Sequence, residues 1–413
     1  TRYKHNITLF HRAHRRGPFM LWTGDLARAA FALSRPAADI APPPLMVGQL
    51  RIFADGVCAE TVPTETVFSP EGAKWVCRFA DKTLEIVSVI VSESEACVRV
   101  RVRGNDGGAK DAELTCTFGG PLLCSRPYDA GWLGLEPKPY PCALKEEKGA
   151  FALAETDGKE FCRFRLYTAE KAQYAAEGDT LTCKARGNEL IFTVGIGDAP
   201  AFGEGSADAL FKRGKEYFSS LLDACRTQTP QPLLSAAFRC AVVEQDNTHR
   251  GDGWLEGGHW FSCYWTNNFQ ISAALALGQD EAVRRALAFF GTRKDGYNCI
   301  DAMGNNAWLY HTREGEKNYG YEGLPYYLYE LDEYVQATGD ISVVKEVFPG
   351  VDRALRYMLR IRADKNSGLL GWRHGCNAFL YQADSLSLPG AASSPSVMIG
   401  SVLKKFAALA ERI

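Results

Sequence analysis

Over roughly the first 200 residues, apolar and polar positions alternate, the period of a strand with one face buried. Val98-Arg99-Val100-Arg101-Val102-Arg103 shows it most strictly. It predicts a strand with its valines inward and a cationic, solvated face outward. Comparable runs cover 83–91, 113–118, 161–167 and 189–194. Asp55-Gly56, Asn105-Asp106-Gly107-Gly108, Asp157-Gly158 and Glu177-Gly178-Asp179 separate such runs as turns. Many strands with frequent turns and almost no helical spacing predict a β-sandwich. The period changes near Ala201-Phe202-Gly203-Glu204-Gly205. Beyond it, helical spacing predicts helices over 207–225, 233–244, 268–277, 281–290, 326–338, 341–362 (bent near Pro349) and 395–413. Long segments rich in Gly, Trp, Tyr, Asn and His fall between alternate helices, the layout of a helical-hairpin array.

Length sharpens this into two domains, because 413 residues exceed what one hydrophobic core usually organises. The expected division is a β-sandwich domain at 1–203 and an (α/α) helical barrel at 204–413. The last predicted helix meets no Gly or Pro stop. A closed array also needs more helices than these, so the barrel is expected to be incomplete at its C-terminal side. A formal net charge of −2 provides no general basic field for nucleic acid. No apolar run reaches membrane-spanning length. The chain opens on Thr1 without a basic-then-apolar leader, which suits a cytoplasmic protein, a processed one or a fragment. The 13 cysteines are odd in number, scattered and without a Cys-x-x-Cys pair. They read as the reduced thiols of a cytoplasm.

Candidate chemistry concentrates in four segments. The first runs from Asp246 to Asn268 and includes Asp252, Trp254, Glu256, Trp260 and Trp265. Sugars present hydroxyls to carboxylates and amides, and C–H faces to aromatic rings, so such a segment suits a saccharide cleft. Trp254, beside Gly253, is expected to line it. The second segment holds Asp301 and Trp308, and the third is Tyr319-Gly320-Tyr321-Glu322-Gly323. Glycines and aromatics around Glu322 form a setting that raises a carboxyl pKa, as a general acid requires. The fourth contains Trp372-Arg373-His374 and then Asp384. His249 and His259 lack the tight spacing of metal ligands. No metal or other cofactor is expected.

Residues 233–413 resemble the six-hairpin glycosidase superfamily, the (α/α)6 fold shared by glucoamylases, trehalases, rhamnosidases and sugar phosphorylases. Tyr264-Trp265-Thr266-Asn267-Asn268 before Ala273-Ala274-Leu275-Ala276-Leu277-Gly278 is similar to the glucoamylase-type Trp-x-Arg-Asp helix start. Thr338-Gly339-Asp340 followed by Phe348-Pro349 also matches that pattern, and Asp246 to Trp254 resembles the Asp- and Arg-rich loop of rhamnosidases. The N-terminal sandwich fits many bacterial members. Two positions depart from the pattern. Asn267 and Asn268 stand where the family has its sugar-binding Arg-Asp pair, and Arg373 follows Trp372 where glucoamylase-like members carry a catalytic Glu.

The resemblance implies an inverting glycoside hydrolase acting on an oligosaccharide or glycoside. In that chemistry an acid protonates the leaving oxygen while a carboxylate activates water about 6.5–9.5 Å away. Glu322 or Asp384 is the acid candidate. Asp252, Trp254, Glu256, Trp265, Asn267, Asn268, Asp301, Trp308, Tyr321, Trp372, Arg373 and His374 are the substrate-binding candidates. A phosphorylase on the same fold, with Arg373 and His374 as its local phosphate ligands, is one alternative. A non-catalytic sugar-binding or structural protein is the other.

Overall fold

A computed structural model describes residues 10–12, 19–23, 28–33, 45–119, 122–123, 139–140, 142–147, 150–155, 164–168, 172–177, 180–196, 207–250, 253–254, 264–292, 306–311, 317–320, 323–357, 359, 366, 371–372, 390–391 and 393–413. The chain divides into two compact units, Thr1–Arg35 with Pro42–Asn247, and Pro36–Ala41 with Thr248–Ile413.

The first unit is built on two antiparallel sheets. One orders Phe10–Arg12, Phe19–Thr23, Arg28–Leu33, Leu45–Ala54, Ala112–Gly119, Thr180–Gly187 and Gln173–Glu177. The other orders Phe164–Thr168, Glu189–Ile196, Glu95–Gly104, Lys82–Ser92, Gly72–Arg78 and Thr64–Ser69. The alternation read from the sequence sets the buried face. Val98, Val100 and Val102 are 0–2% exposed, and Trp75, Leu84 and Ile86 are fully buried with them in the first unit's core. Asp55 and Gly56 make the predicted turn with positive φ at both residues, 48° and 80°, as a two-residue hairpin requires.

Helix α1 (Ala207–Ala224) lies against the outer face of the second sheet, and α2 (Pro232–Thr248) follows it. Leu210 and Phe211 of α1 join Val89, Val91, Cys97 and Ile191 in one apolar cluster. This changes the expectation of a solvated arginine face. Arg99 is only 11% exposed, bonds Asp208 on α1 and stacks its guanidinium 4.4 Å from the Phe211 ring centre. Its Nε approaches Glu189 at 3.5 Å, an ion-pair distance without a hydrogen bond. Arg101 pairs with Glu189 at 2.6 Å, and Arg103 is exposed as expected. The change from strands to helices falls before α1, whereas the compact units divide at Asn247/Thr248, because α1 packs on the sheet.

The second unit contains α3 (Tyr264–Ala276), α4 (Asp280–Thr292), α5 (Gly323–Thr338), α6 (Ser342–Tyr357) and α7 (Ser393–Ala410). These fall where the helical spacing predicts them, with ends shifted by a few residues; Pro349 sits inside α6. Helix α5 packs between α3 and α7, while α4 packs against α6. Successive helices thus fall alternately in two layers, one helix of each hairpin in each. The first layer is buried on more than one side. Leu324, Tyr327, Leu328, Leu331, Tyr334 and Val335 of α5 are all within 4% of complete burial. Gly291 on α4 lies at a close approach to both α5 and α6. A Cβ there would stand 2.1 Å from the Tyr327 hydroxyl and 2.5 Å from Val347 Cγ1, so glycine alone permits the contact.

Candidate functional site

Connections between the helices differ sharply by type. Leu277–Gln279 joins α3 to α4 and Gly339–Ile341 joins α5 to α6, each turning at a glycine with positive φ. Such short links make antiparallel pairs. The segments entering α3, α5 and α7 are long, and each carries a two-stranded antiparallel ribbon. These ribbons are His249–Arg250 with Gly253–Trp254, Asn306–His311 with Lys317–Gly320, and Gly371–Trp372 with Gly390–Ala391.

Helix direction follows from named contacts. Tyr327, near the start of α5, donates its hydroxyl to Leu287 O in the second half of α4 at 2.6 Å. Arg284, near the start of α4, reaches Asp340 just beyond the end of α5 at 3.4 Å, and Glu346 of α6 at 3.2 Å. So α4 runs opposite to α5, α3 runs opposite to α4, and α3 and α5 are parallel. Their N-terminal ends, where ribbon-bearing segments arrive, lie on the same side of the layer. The Trp254 and Trp308 segments therefore enter from one side. Gly323, which follows Glu322 in the chain, opens α5 at that side.

The candidate residues distribute as follows. Trp265, Asn267 and Asn268 are in the first turns of α3, Trp308 is on the second ribbon and Trp372 on the third. Asp252, Glu256, Asp301, Tyr321, Glu322, Arg373, His374 and Asp384 lie outside the described residues. Trp254 is placed in full, and it does not line a cleft. It is 0% exposed within the apolar cluster of α3 to α7, with its ring edge-on to His249 at 4.6 Å. The ribbon register sets His249 opposite Trp254, which turns both rings inward. A further correction concerns Asp246, Asn247 and Thr248, expected in a loop: they form the last turn of α2, at 0–5% exposure. The Tyr217 hydroxyl on α1 donates to Asp246 Oδ2 at 2.5 Å.

A line of carboxylates on α5 was not singled out from the sequence. Glu333 accepts a hydrogen bond from the Ser272 hydroxyl of α3 at 2.7 Å. Asp332 accepts from Lys405 of α7 at 2.8 Å and from Gln336 at 2.6 Å. These bonds tie three helices of one layer together. Glu330 is different. It is fully buried, and neither carboxyl oxygen has a hydrogen-bond partner among the described residues. An ionised carboxylate there would be very costly, so the group is held as a neutral acid. Burial, with the nearby Glu333 charge adding to it, raises the Glu330 pKa well above the ordinary carboxylate value. The signal in sequence was a glutamate inside the apolar stripe of α5, between Tyr327 and Tyr334.

This has a pH consequence. In the unfolded chain Glu330 ionises near pH 4.3, but in the fold only at much higher pH. Its contribution to stability is fully present below the unfolded value and is lost as pH rises toward the folded one. Glu330→Gln should therefore gain stability relative to the parent as pH is raised from 5 to 8, by up to about 1.4 kcal/mol per pH unit between the two pKa values. Urea unfolding at several pH values measures this. Parallel stability profiles for the two proteins would show that Glu330 is not the titrating group.

Among the described residues, no group of three or more His, Cys, Asp or Glu is placed to hold a metal ion. No described helix is long and apolar enough to cross a membrane.

No family model matches the sequence, and no curated protein matches it. Among solved structures, a bacterial glucoamylase complexed with acarbose superposes with a TM-score of 0.59 at 9% identity, over 98% of this chain. This chain spans 65% of the length of that glucoamylase chain. At such identity the likeness concerns the fold: antiparallel sheets followed by paired helices in the glucoamylase manner. A YidC insertase (TM-score 0.23, 10% identity, 97% of this chain and 93% of that one) overlaps too little to bear on the fold. The same holds for a family 81 glycoside hydrolase from Clostridium thermocellum (0.15, 8%, 98% and 80%).

Proposed function

We propose that this chain belongs to a carbohydrate-active enzyme of glycoside hydrolase type, with its sheets forming a β-sandwich and its helices part of an (α/α)6 array. In this reading it cleaves a glycosidic bond with inversion. The observation that carries the proposal is the likeness, along almost the whole chain, to a bacterial glucoamylase complexed with acarbose. The segments entering α3, α5 and α7 agree with it: they carry the aromatic and carboxylate clusters, and two of them enter from one side. Glu322 or Asp384 supplies the acid. Asp252, Glu256, Asp301, Trp308, Tyr321 and Trp372 bind sugar, joined by Trp265, Asn267, Asn268, Arg373 and His374. Trp254 acts from behind, as packing that holds the first ribbon in place.

Incubation with linear glucans and aryl glycosides, with and without inorganic phosphate, tests the reading. Phosphate-independent release of sugar, with the anomeric configuration inverted when followed by proton NMR, is the expected result. Release that requires phosphate and yields a sugar phosphate would assign a phosphorylase. Sugar binding without turnover in the full-length protein would assign a non-catalytic role.

A further inference from the structure

The Ala112–Gly119 and Thr180–Gly187 strands pair along their whole length, and their register sets Cys116 directly opposite Cys183. Opposed residues of an antiparallel pair project to the same face, with Cβ atoms about 4.5–5.5 Å apart. Their Cα atoms stand about 4.5 or 5.5 Å apart, depending on the hydrogen-bonding class of the pair. Both values fall inside the range of about 4.4–6.8 Å that a disulfide spans, and the Cβ atoms need approach by only about an ångström. Both thiols are reduced and buried, at 1% and 0% exposure. The other described strand cysteines have no such partner. Cys77 faces Thr64 and Leu84, Cys97 faces Val89 and Thr193, Cys58 faces Phe53, and Cys142 faces Glu155.

We propose that Cys116 and Cys183 are an oxidation site, a cross-strand dithiol that closes to a disulfide without a change of register. With a small disulfide such as oxidised glutathione as the oxidant, one cysteine thiolate attacks and expels one glutathione thiolate, leaving a mixed disulfide. The second cysteine thiolate attacks the protein sulfur of that intermediate and expels the other glutathione. One S–S bond forms in the protein and one breaks in the oxidant. The two protons and two electrons lost by the cysteines end on two glutathione thiols. Access comes from the sheet edge. Among the described strands, Thr180–Gly187 has only Gln173–Glu177 beyond it in the sheet, so fraying of this hairpin exposes Cys183. Burial holds the Cys116 thiol well above its ordinary pKa, which keeps that thiol unreactive while the hairpin is closed. Once formed, the bond ties an interior strand to its neighbour and restricts the unfolded chain.

The test uses the full chain, equilibrated in an oxidised glutathione buffer both natively and during refolding. Free thiols are then alkylated in denaturant and the digest is mapped by mass spectrometry. A peptide joining residues 116 and 183, lost on reduction, is expected, with a thermal midpoint raised on the order of 10 °C over the reduced chain. Cys116→Ala and Cys183→Ala should each abolish both effects, and Cys58→Ala should abolish neither. Full alkylation of both cysteines after refolding in oxidant, or linkage of either to a different cysteine, would overturn the assignment. So would a linked protein whose midpoint falls, because the native register would then not accommodate the bond.

Discussion

Glu322→Gln should lower kcat on a natural oligosaccharide by about 10²–10⁴-fold and leave sugar binding nearly intact, if Glu322 is the acid of the proposed hydrolase. The amide keeps the shape and hydrogen-bonding capacity of the carboxyl but delivers no proton, so the loss falls on the transition state alone. Asp384→Asn should show this pattern instead if Asp384 is the acid, and Glu322→Gln should then mainly weaken binding. Leaving-group ability separates the cases. An activated aryl glycoside needs little protonation, so it should restore turnover selectively in the variant of the true acid. With both variants folded and binding sugar, rescue of neither would remove both assignments. The sequence setting Gly320-Tyr321-Glu322-Gly323 favours Glu322, because the flanking glycines allow close substrate approach.

Trp254→Ala should destabilise the second unit by about 3–5 kcal/mol, the range for removing a fully buried large aromatic side chain. Its indole is part of the cluster that includes Ile271, Leu287, Phe290, Leu324 and Leu328, so its loss leaves a cavity that helices tied by short links cannot readily close. Trp254→Phe keeps much of the volume and should cost less. Urea unfolding monitored by circular dichroism measures both. Sugar affinity, measured where both variants remain folded, should fall only modestly. A collapse of affinity with unchanged stability would instead return Trp254 to the substrate cleft.

Local pattern carried a long way here. Strict alternation over Val98 to Arg103 was sufficient to place the valines inside, because each valine turned inward removes apolar surface from water and each arginine turned inward would have to be paired. The helices likewise fell where apolar residues recur every three or four positions, and the glycines at 278 and 339 sit at the turns ending α3 and α5. Cap chemistry was less legible. The helix expected to end at residue 244 continues as α2 through Asp246, Asn247 and Thr248, with Asp246 bonded to Tyr217. That bond joins residues far apart in sequence, so no local window contains it.

The sequence by itself determined the two kinds of secondary structure, the point where one gives way to the other, and the inward valine face of the Glu95–Gly104 strand. These follow from period and residue type, which act over a few residues. The tertiary structure decided what lies across from each face. It covered Arg99 with α1, turned Trp254 into the core through its ribbon register with His249, isolated Glu330 in the middle of α5, and set Cys116 against Cys183. Side chains of the same type are solvated, stacked or unpartnered according to neighbours supplied by distant segments. The energetic consequence of burial depends on those neighbours, and periodicity reports only that burial occurs.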